Sequence, residues 1–379
     1  MMRCMTGPTG PLAGLRVIEF AGIGPGPYAC LLLAELGAEV IRVDRPRGNA
    51  LDAAVLRRSR SSIAVDLKNP DGIEAVLRLV EGADIVVEGL RPGVMERLGL
   101  GPDDCLERNP RIVYGRMTGW GQSGPLADRA GHDITYAALS GALHATGSAD
   151  KPRQAVNLVA DFGGGTLFLV MGILAALHER TVSGRGQVVD AAMVDGAASL
   201  MTMVYGMKAD GLWHDQREAN LLDGGTPFYD TYECADGKHV AVGALEGQFY
   251  AELMAGTGLD FEQYDFARWP EMRAALTETF KSKTRDEWAE IFGSTDACVA
   301  PVLSLEEAPA HPHNVARGVF TPYGNGMAPR IAPVFSRTPT LPPGDVHAAG
   351  QDTRAVLLAA GFEEAEVEAL LEQSAVVQS

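Results

Sequence analysis

The sequence is poor in several features that would point to particular chemistries. Positive charge is short: 32 Lys and Arg stand against 49 Asp and Glu in 379 residues, a formal net charge of −17. A chain this acidic repels phosphate backbones, so nucleic acid is not expected as a general partner, although a local basic patch can still meet a small polyanion. Cysteine is scarce. Cys4, Cys30, Cys105, Cys234 and Cys298 have neither paired nor metal-ligand spacing, which predicts free thiols in a reducing compartment. The histidines show no metal spacing either, so no metal is expected. Residues 1–10 lack an apolar core of signal-peptide length, and the C-terminal Val-Val-Gln-Ser is no peroxisomal address. The uncharged run from Phe162 to Leu177 is short for a membrane span and contains consecutive glycines, which predicts a buried core helix. Internal repeats and low-complexity tails are missing. A soluble, cytoplasmic protein without a membrane partner is the expectation.

What is present supports a full core: 46% of residues are hydrophobic. Leu15–Phe20 reads as a buried strand, Gly22–Pro27 as a turn, Tyr28–Leu36 as an apolar helix and Ala38–Asp44 as a second strand. Ser62–Asp66, Ala83–Glu88 and Arg111–Arg116 continue the alternation, with Asn69 as N-cap and Pro70 at the first position of an intervening helix. The pattern predicts an α/β fold, a Rossmann-like open parallel sheet over residues 12–120. Residues 162–180 and 187–209 read as two long helices. Phe228–Cys234 and His239–Ala244 flank a turn at Ala235–Lys238, the start of a smaller α+β domain at 225–320. The large domain is expected to comprise 1–224 and 321–379, with 321–350 an extended linker and a final helix from Thr353 to Glu372 packing back on it.

Several motifs admit chemistry. Gly22-x-Gly24-x-Gly26 follows a strand, but Pro27 stands where a dinucleotide fingerprint needs its third glycine, and Asp44 is followed by Arg45, Pro46 and Arg47. Basic residues recur at predicted strand ends (Arg42, Arg45, Arg47, Arg57, Arg58, Arg60, Lys68, Arg91, Arg97), which suits a phosphate-rich ligand at the carboxyl edge of the sheet or, more plainly, solvated surface charge. Gly131-His132-Asp133 offers an imidazole beside a carboxylate. Asp161 precedes Phe162-Gly163-Gly164-Gly165 at a helix start. An imidazole and a carboxylate on opposite faces of one carbon meet the needs of a two-base proton transfer. The plain alternatives are a structural histidine and two N-caps. Three glycines at a helix start are unfavourable, and close approach of a ligand to the backbone is the reason expected here. Free N–H groups there would suit an oxyanion. The helix start favours an ionised Asp161, whereas burial favours a neutral one. Glu246 follows a strand and is either a surface acid or a site residue. Met193, Met201, Met203 and Met207 on one helix would be core or a pliable apolar wall.

Gly14–Glu19, Gly37–Asp44, Asp66-Leu67-Lys68, Arg91–Val94, Glu96–Gly99, Thr118–Pro125 and Gly184–Ala191 together resemble the family III CoA-transferases of CaiB/BaiF type, from about residue 10 into the 320s. His132 in Gly-His-Asp, and Ala244–Gln248 where transferases carry a glycine-rich run, resemble the racemase branch; that branch favours Pro where Gly247 stands. The resemblance implies interconversion of (R)- and (S)-2-methylacyl-CoA thioesters. His132 would remove the α-proton, Asp161 would return one to the other face, and Glu246 would orient and polarise His132. The thioester carbonyl would point at the Asp161 backbone N–H. CoA would be held by Arg45, Val65, Asp66, Leu67, Lys68, Gly89, Arg97, Gly131, Asp133 and Tyr136, with phosphates near Arg45 and Arg97. No cofactor is implied beyond the CoA of the substrate. The family resemblance also implies an interlocked homodimer. The alternative activity is CoA transfer between carboxylic acids with Asp161 as nucleophile.

Overall fold

The computed structural model describes residues 10–47 and 53–379, so Cys4 lies outside the described residues. Two compact units emerge. The first runs to Ala142, resumes over Ala155–Met201 and ends with Arg330–Ser379; the second comprises Leu143–Gln154 and Thr202–Pro329. The second unit therefore begins at Thr202 rather than 225, ends at Pro329 rather than 320, and takes in an extra hairpin. The hairpin belongs there because the Arg217 guanidinium donates to the carbonyls of His144, Ser148 and Ala149.

The first unit is built on six parallel strands: β1 (Arg16–Phe20), β2 (Glu39–Asp44), β3 (Ser61–Val65), β4 (Ile85–Glu88), β5 (Val113–Thr118) and β6 (Val188–Ala192). Their order is β3-β2-β1-β4-β5-β6, with Val376–Val377 added antiparallel outside β3. The central strands are buried on both faces, as their near-continuous Val and Ile content requires in a parallel sheet covered by helices. Chain order reverses between β1 and β4. The loops leaving those strands diverge there and open a crevice at their carboxyl ends. The helices α1 (Pro25–Glu35) and α2 (Pro70–Glu81) follow β1 and β3. Asn69 caps α2, its side chain accepting from Asp71 N–H at 3.0 Å.

The expected helix over 187–209 is corrected. Residues 188–192 form β6, because Val188 and Val189 pair in register with Tyr114 and Gly115 of β5, and sheet pairing outweighs a helical pattern here. Helices α3 (Asp133–Leu139), α4 (Leu158–Ser183) and α5 (Met193–Leu200) surround this edge. The first ten residues of α4, Leu158–Leu167, are wound as a π-helix before α-geometry begins at Phe168. π-Helix is rare, occurs mostly as single-turn bulges within α-helices, and is frequent at functional sites. Helix α4 is long and apolar enough to cross a membrane by length and composition alone. It is not the fully buried helix expected: Leu169 and Ile173 pack into the core, while Leu158, Leu167, Met171 and Val182 are exposed.

The second unit carries a three-stranded antiparallel sheet of β7 (Tyr229–Glu233), β8 (His239–Gly243) and β9 (Val299–Pro301), order β9-β8-β7. The Ala235–Lys238 turn stands as expected, with Gly237 at φ 73°. Phe228, Tyr232, Phe280, Trp288 and Phe292 form its core. Within the expected linker, Phe320–Tyr323 pairs with Gly326–Pro329. The expected single C-terminal helix splits into Thr353–Ala359 and Glu364–Glu372, because Gly361 adopts φ 85° between them. Asp352, just before these helices, accepts from Ser62 N–H of β3 at 2.8 Å.

Candidate active site

A cavity of about 360 Å³ occupies the β1/β4 crevice, within the size range of small-molecule sites. Its walls come from the Gly22–Pro27 turn, the Glu88–Pro92 loop after β4, the Met117–Trp120 segment after β5, and His132, Tyr136, Asp161 and Met193. Five expected site residues line it together: Gly89, Gly131, His132, Tyr136 and Asp161.

His132 is the N-cap residue of α3 and is exposed; its backbone N–H donates to Thr135 Oγ1 at 3.0 Å. Asp161 sits half-buried in the first turn of the π-helix. One carboxylate oxygen accepts from Asn157 Nδ2 at 3.3 Å, and a Cβ built on Gly24 would lie 3.6 Å from that same oxygen. Burial pushes the Asp161 carboxyl above its ordinary value; the Asn157 bond and the His132 charge lower it, and the nearby Asp133 raises it. Of the two opposed influences weighed from sequence, burial prevails, and a share of Asp161 is held neutral towards higher pH.

Asp133 differs from expectation. Its side chain is 6% exposed and faces the protein, not the cavity lining; Oδ1 accepts from Ala160 N–H and Asp161 N–H, each at 2.8 Å. The Asp161 N–H expected to meet a thioester oxygen is therefore already engaged. Nor is Asp133 the N-cap of its own helix; it caps α4 from a distant stretch of chain.

The glycine run also has a different reason. A Cβ on Gly164 would lie 2.5 Å from Ala197 N, and one on Gly165 2.8 Å from Met193 Cγ. These glycines let α4 and α5 touch backbone to backbone, so helix packing rather than ligand approach demands them. Gly131 is explained similarly: a Cβ there would strike the Tyr136 ring at 2.5 Å. That ring meets Trp120 edge-on, centroids 4.6 Å apart, and burial pushes its phenol up to about 12.

The remaining expected contacts do not line the cavity; they sit in or after the strands of the sheet. Arg45 follows β2 and is exposed, as are Lys68 after β3 and Arg97 beyond β4. Val65 is buried in β3, and Asp66 accepts from Lys68 N–H at 3.0 Å, shaping that turn with Leu67 half-buried between them. Three of the basic residues counted as phosphate ligands are withdrawn: Arg42, Arg58 and Arg60 are buried against Asp44, Glu35 and Glu19. Asp44 is turned inward and accepts from Ser62 Oγ at 2.7 Å, so it offers nothing to a ribose. The methionines do not share a helix. Met193 lines the cavity from α5, whereas Met203 and Met207 lie on Thr202–Ala209 in the second unit. Glu246, also in the second unit, is exposed and is the N-cap residue of α6 (Gly247–Thr257). Among the described residues, no group of three or more His, Cys, Asp or Glu is placed to hold a metal ion.

Sequence reasoning missed Glu88, Met117, Gly119 and Trp120. Glu88 ends β4 with both oxygens occupied, by Arg116 Nε at 3.0 Å and Leu90 N–H at 2.7 Å, and burial raises it to about 6. Its only sequence signal is a carboxylate at the end of an otherwise apolar strand.

The chain has relatives among known proteins over most of its length. The model of CoA-transferase family III matches residues 12–353. The alpha-methylacyl-CoA racemase of Mus musculus is 47% identical over 363 residues, covering 94% of this chain and 95% of that protein. The Homo sapiens protein of the same name is 46% identical over 337 residues, with 87% and 88% covered. Among solved structures, a CaiB/BaiF family protein from Brucella suis superposes with a TM-score of 0.81 at 26% identity, covering 93% of this chain and 100% of the other.

Proposed function

The chain belongs to CoA-transferase family III, and on that premise we propose that it is an isomerase interconverting (R)- and (S)-2-methylacyl-CoA thioesters. The observation that carries this reading is the convergence of His132 and Asp161 on one cavity at the switch point of the sheet, close enough for the imidazole charge to act on the carboxyl. Neighbouring residues make the pair chemically unequal. The exposed imidazole can take the α-proton as a base. Burial biases Asp161 towards the neutral form that donates a proton to the opposite face of the enolate. In the reverse direction the roles exchange. Closely related racemases at 46–47% identity support this activity over acyl transfer.

The CoA moiety would run from the cavity past Gly89 towards Arg45, Lys68 and Arg97, exposed cations at the carboxyl edge where a polyphosphate is met. Met117 and Met193 give the acyl chain an adaptable apolar wall. We assign Glu246, from the same or a partner chain, to orienting His132. We also propose a homodimer, supported by the exposed apolar side chains Leu158, Leu167, Met171 and Val182 along α4, the kind of surface that a partner chain covers. The reading further holds that the protein works in the cytoplasm and takes no cofactor besides the substrate's CoA.

The test uses one enantiomer of a 2-methylacyl-CoA in deuterated water without any acceptor acid. Proton NMR should show α-deuterium uptake together with loss of chirality. An unchanged α-proton, with CoA passing to an added carboxylic acid and hydroxylamine trapping an Asp161 adduct, would replace this reading by CoA transfer.

A further inference from the structure

The two reacting groups lie on separate stretches of chain, and one buried side chain joins them. Asp133 is covalently next to His132. Its Oδ1 also accepts from two consecutive N–H groups, those of Ala160 and Asp161, each at 2.8 Å. A π-helix leaves its first N–H groups without intrahelical partners, and those at the start of α4 include these two. A carboxylate suits that place, since the helix start carries partial positive charge. We propose that Asp133 is a positioning residue of the racemase reaction, its side chain fixing the Asp161 turn relative to His132 so that both face one carbon. This rests on the two-base reading above.

The geometry explains why a helix start with so many glycines stays in place. Gly163, Gly164 and Gly165 have no side chains with which to lock the turn that carries Asp161. Packing on α5 holds the far side of that turn through Gly164 and Gly165. The near side is held by Asp133. Two bonds to adjacent N–H groups fix the direction of the turn as well as its position, which a single bond would not. Because the same residue begins α3 immediately after His132, any shift of α3 carries Asp161 with it, and the separation of acid and base is preserved.

Asp133 also bears on the proton that Asp161 carries. The titratable groups acting on Asp161 are Asp133, His132 and Tyr136, all from the 131–139 segment, while the turn before α1 meets it through the backbone of Gly24. Asp133 is the one whose charge raises it. Removing that charge lowers Asp161, so both limbs of the rate profile that depend on Asp161 move to lower pH. In one direction Asp161 must be protonated to donate; in the other it must be ionised to accept.

Asp133→Asn separates position from charge, because its amide oxygen can still accept from both N–H groups. The expected result is near-normal KM with the Asp161-dependent limbs of kcat displaced to lower pH. Asp133→Ala removes both contributions, and kcat should fall by about 100-fold in both directions, the loss typical of a misplacement on the order of 1 Å. Wild-type kcat and an unmoved pH profile in both variants would overturn the proposal. If neither variant folds, the wild-type protein decides: hydrogen exchange followed by mass spectrometry on peptides covering 158–163 should show the Ala160 and Asp161 amides protected. Exchange at the free rate would overturn the proposal without any mutant. Asp161→Ala, run alongside, tells the two failures apart. Activity in that variant would sink the two-base reading itself, whereas an inactive Asp161→Ala beside a normal Asp133→Ala would sink only the role of Asp133.

Discussion

Gly196→Ala adds one methyl group where α5 crosses α4, and the structure sets its consequence. The new Cβ would lie 1.9 Å from Gly164 O, 2.5 Å from Gly164 C and 2.7 Å from Gly164 Cα, all backbone atoms that no rotamer change can move aside. Reaching even the tightest tolerated contact, 3.0 Å, moves the helices apart by roughly 1 Å in an interior packed to crystal density. Against this, alanine is a better helix former than glycine by about 1 kcal/mol. Overpacking of this kind costs about 1–3 kcal/mol, with strain against rigid backbone at the upper end. The net expectation is a loss of about 1–2 kcal/mol. Activity should suffer more than stability, because Gly164 is three residues from Asp161 on the same turn. A displacement of about 1 Å there predicts a fall in kcat of roughly 100-fold with KM changed little. The assay pairs thermal unfolding with the rate of α-deuterium incorporation. Gly206→Ala is the control: nothing lies within 4 Å of its Cβ, so it should be neutral or stabilising by up to about 1 kcal/mol. A Gly196→Ala protein that melts at or above the wild type and keeps its kcat would refute the argument that this crossing positions the acid.

Other outcomes follow from the same geometry. His132→Ala and Asp161→Ala should each lower racemisation by at least about 100-fold, as loss of a general acid or base does, while circular dichroism melts stay near wild type. Arg97→Ala should raise KM for the CoA thioester about tenfold with kcat retained, and the effect should shrink as salt is added. Gly247→Pro should be neutral or stabilising by about 0.4–1 kcal/mol. The site is the first position of α6, nothing lies within 4 Å of a Cβ there, and Glu246 before it already has φ −79° and ψ 144°, the backbone a following proline requires. Glu88 titrates at about 6 in the fold against an ordinary 4.5. Its contribution to stability is thus full below 4.5 and lost as pH rises through about 6. In Glu88→Gln, urea unfolding between pH 4.5 and 7 should lack a pH-dependent loss of stability that totals on the order of 2 kcal/mol in the wild type.

The parallel sheet was legible because its strands are short apolar runs bounded by turn residues and separated by helical periodicity, as in Arg16–Phe20 and Glu39–Asp44. Val188–Ala192 was not, since its valines fit a helix or a strand equally until β5 offers a partner. His132 and Asp161 were legible by chemical type and proved to share a cavity. Asp133 was misread because its partners, the N–H groups of Ala160 and Asp161, are distant in sequence and carry no side-chain signal. The arginines misled for a comparable reason. Arg58 and Arg60 are answered by Glu35 and Glu19, and nothing local distinguishes a buried, paired arginine from a surface one. Glycines are doubly ambiguous: in Gly163–Gly165 the space reserved is for another helix, and in Gly131 for an aromatic ring.

The way the chain visits its two units has a consequence for biosynthesis. Thr202–Pro329 is one continuous stretch with its own core, whereas the large unit is completed only by Arg330–Ser379. Emerging from the ribosome, the second unit can fold while the first still has β3 as an uncovered edge. Ala64 and Val65 then wait roughly 290–310 residues for Thr353 and Val376. An exposed apolar edge held open for that span of translation is a template for pairing with other nascent chains. At the rates typical of protein synthesis the interval is on the order of tens of seconds. Soluble yield should therefore respond to translation speed and to chaperones that shield nascent strands, even in variants whose final stability is unchanged.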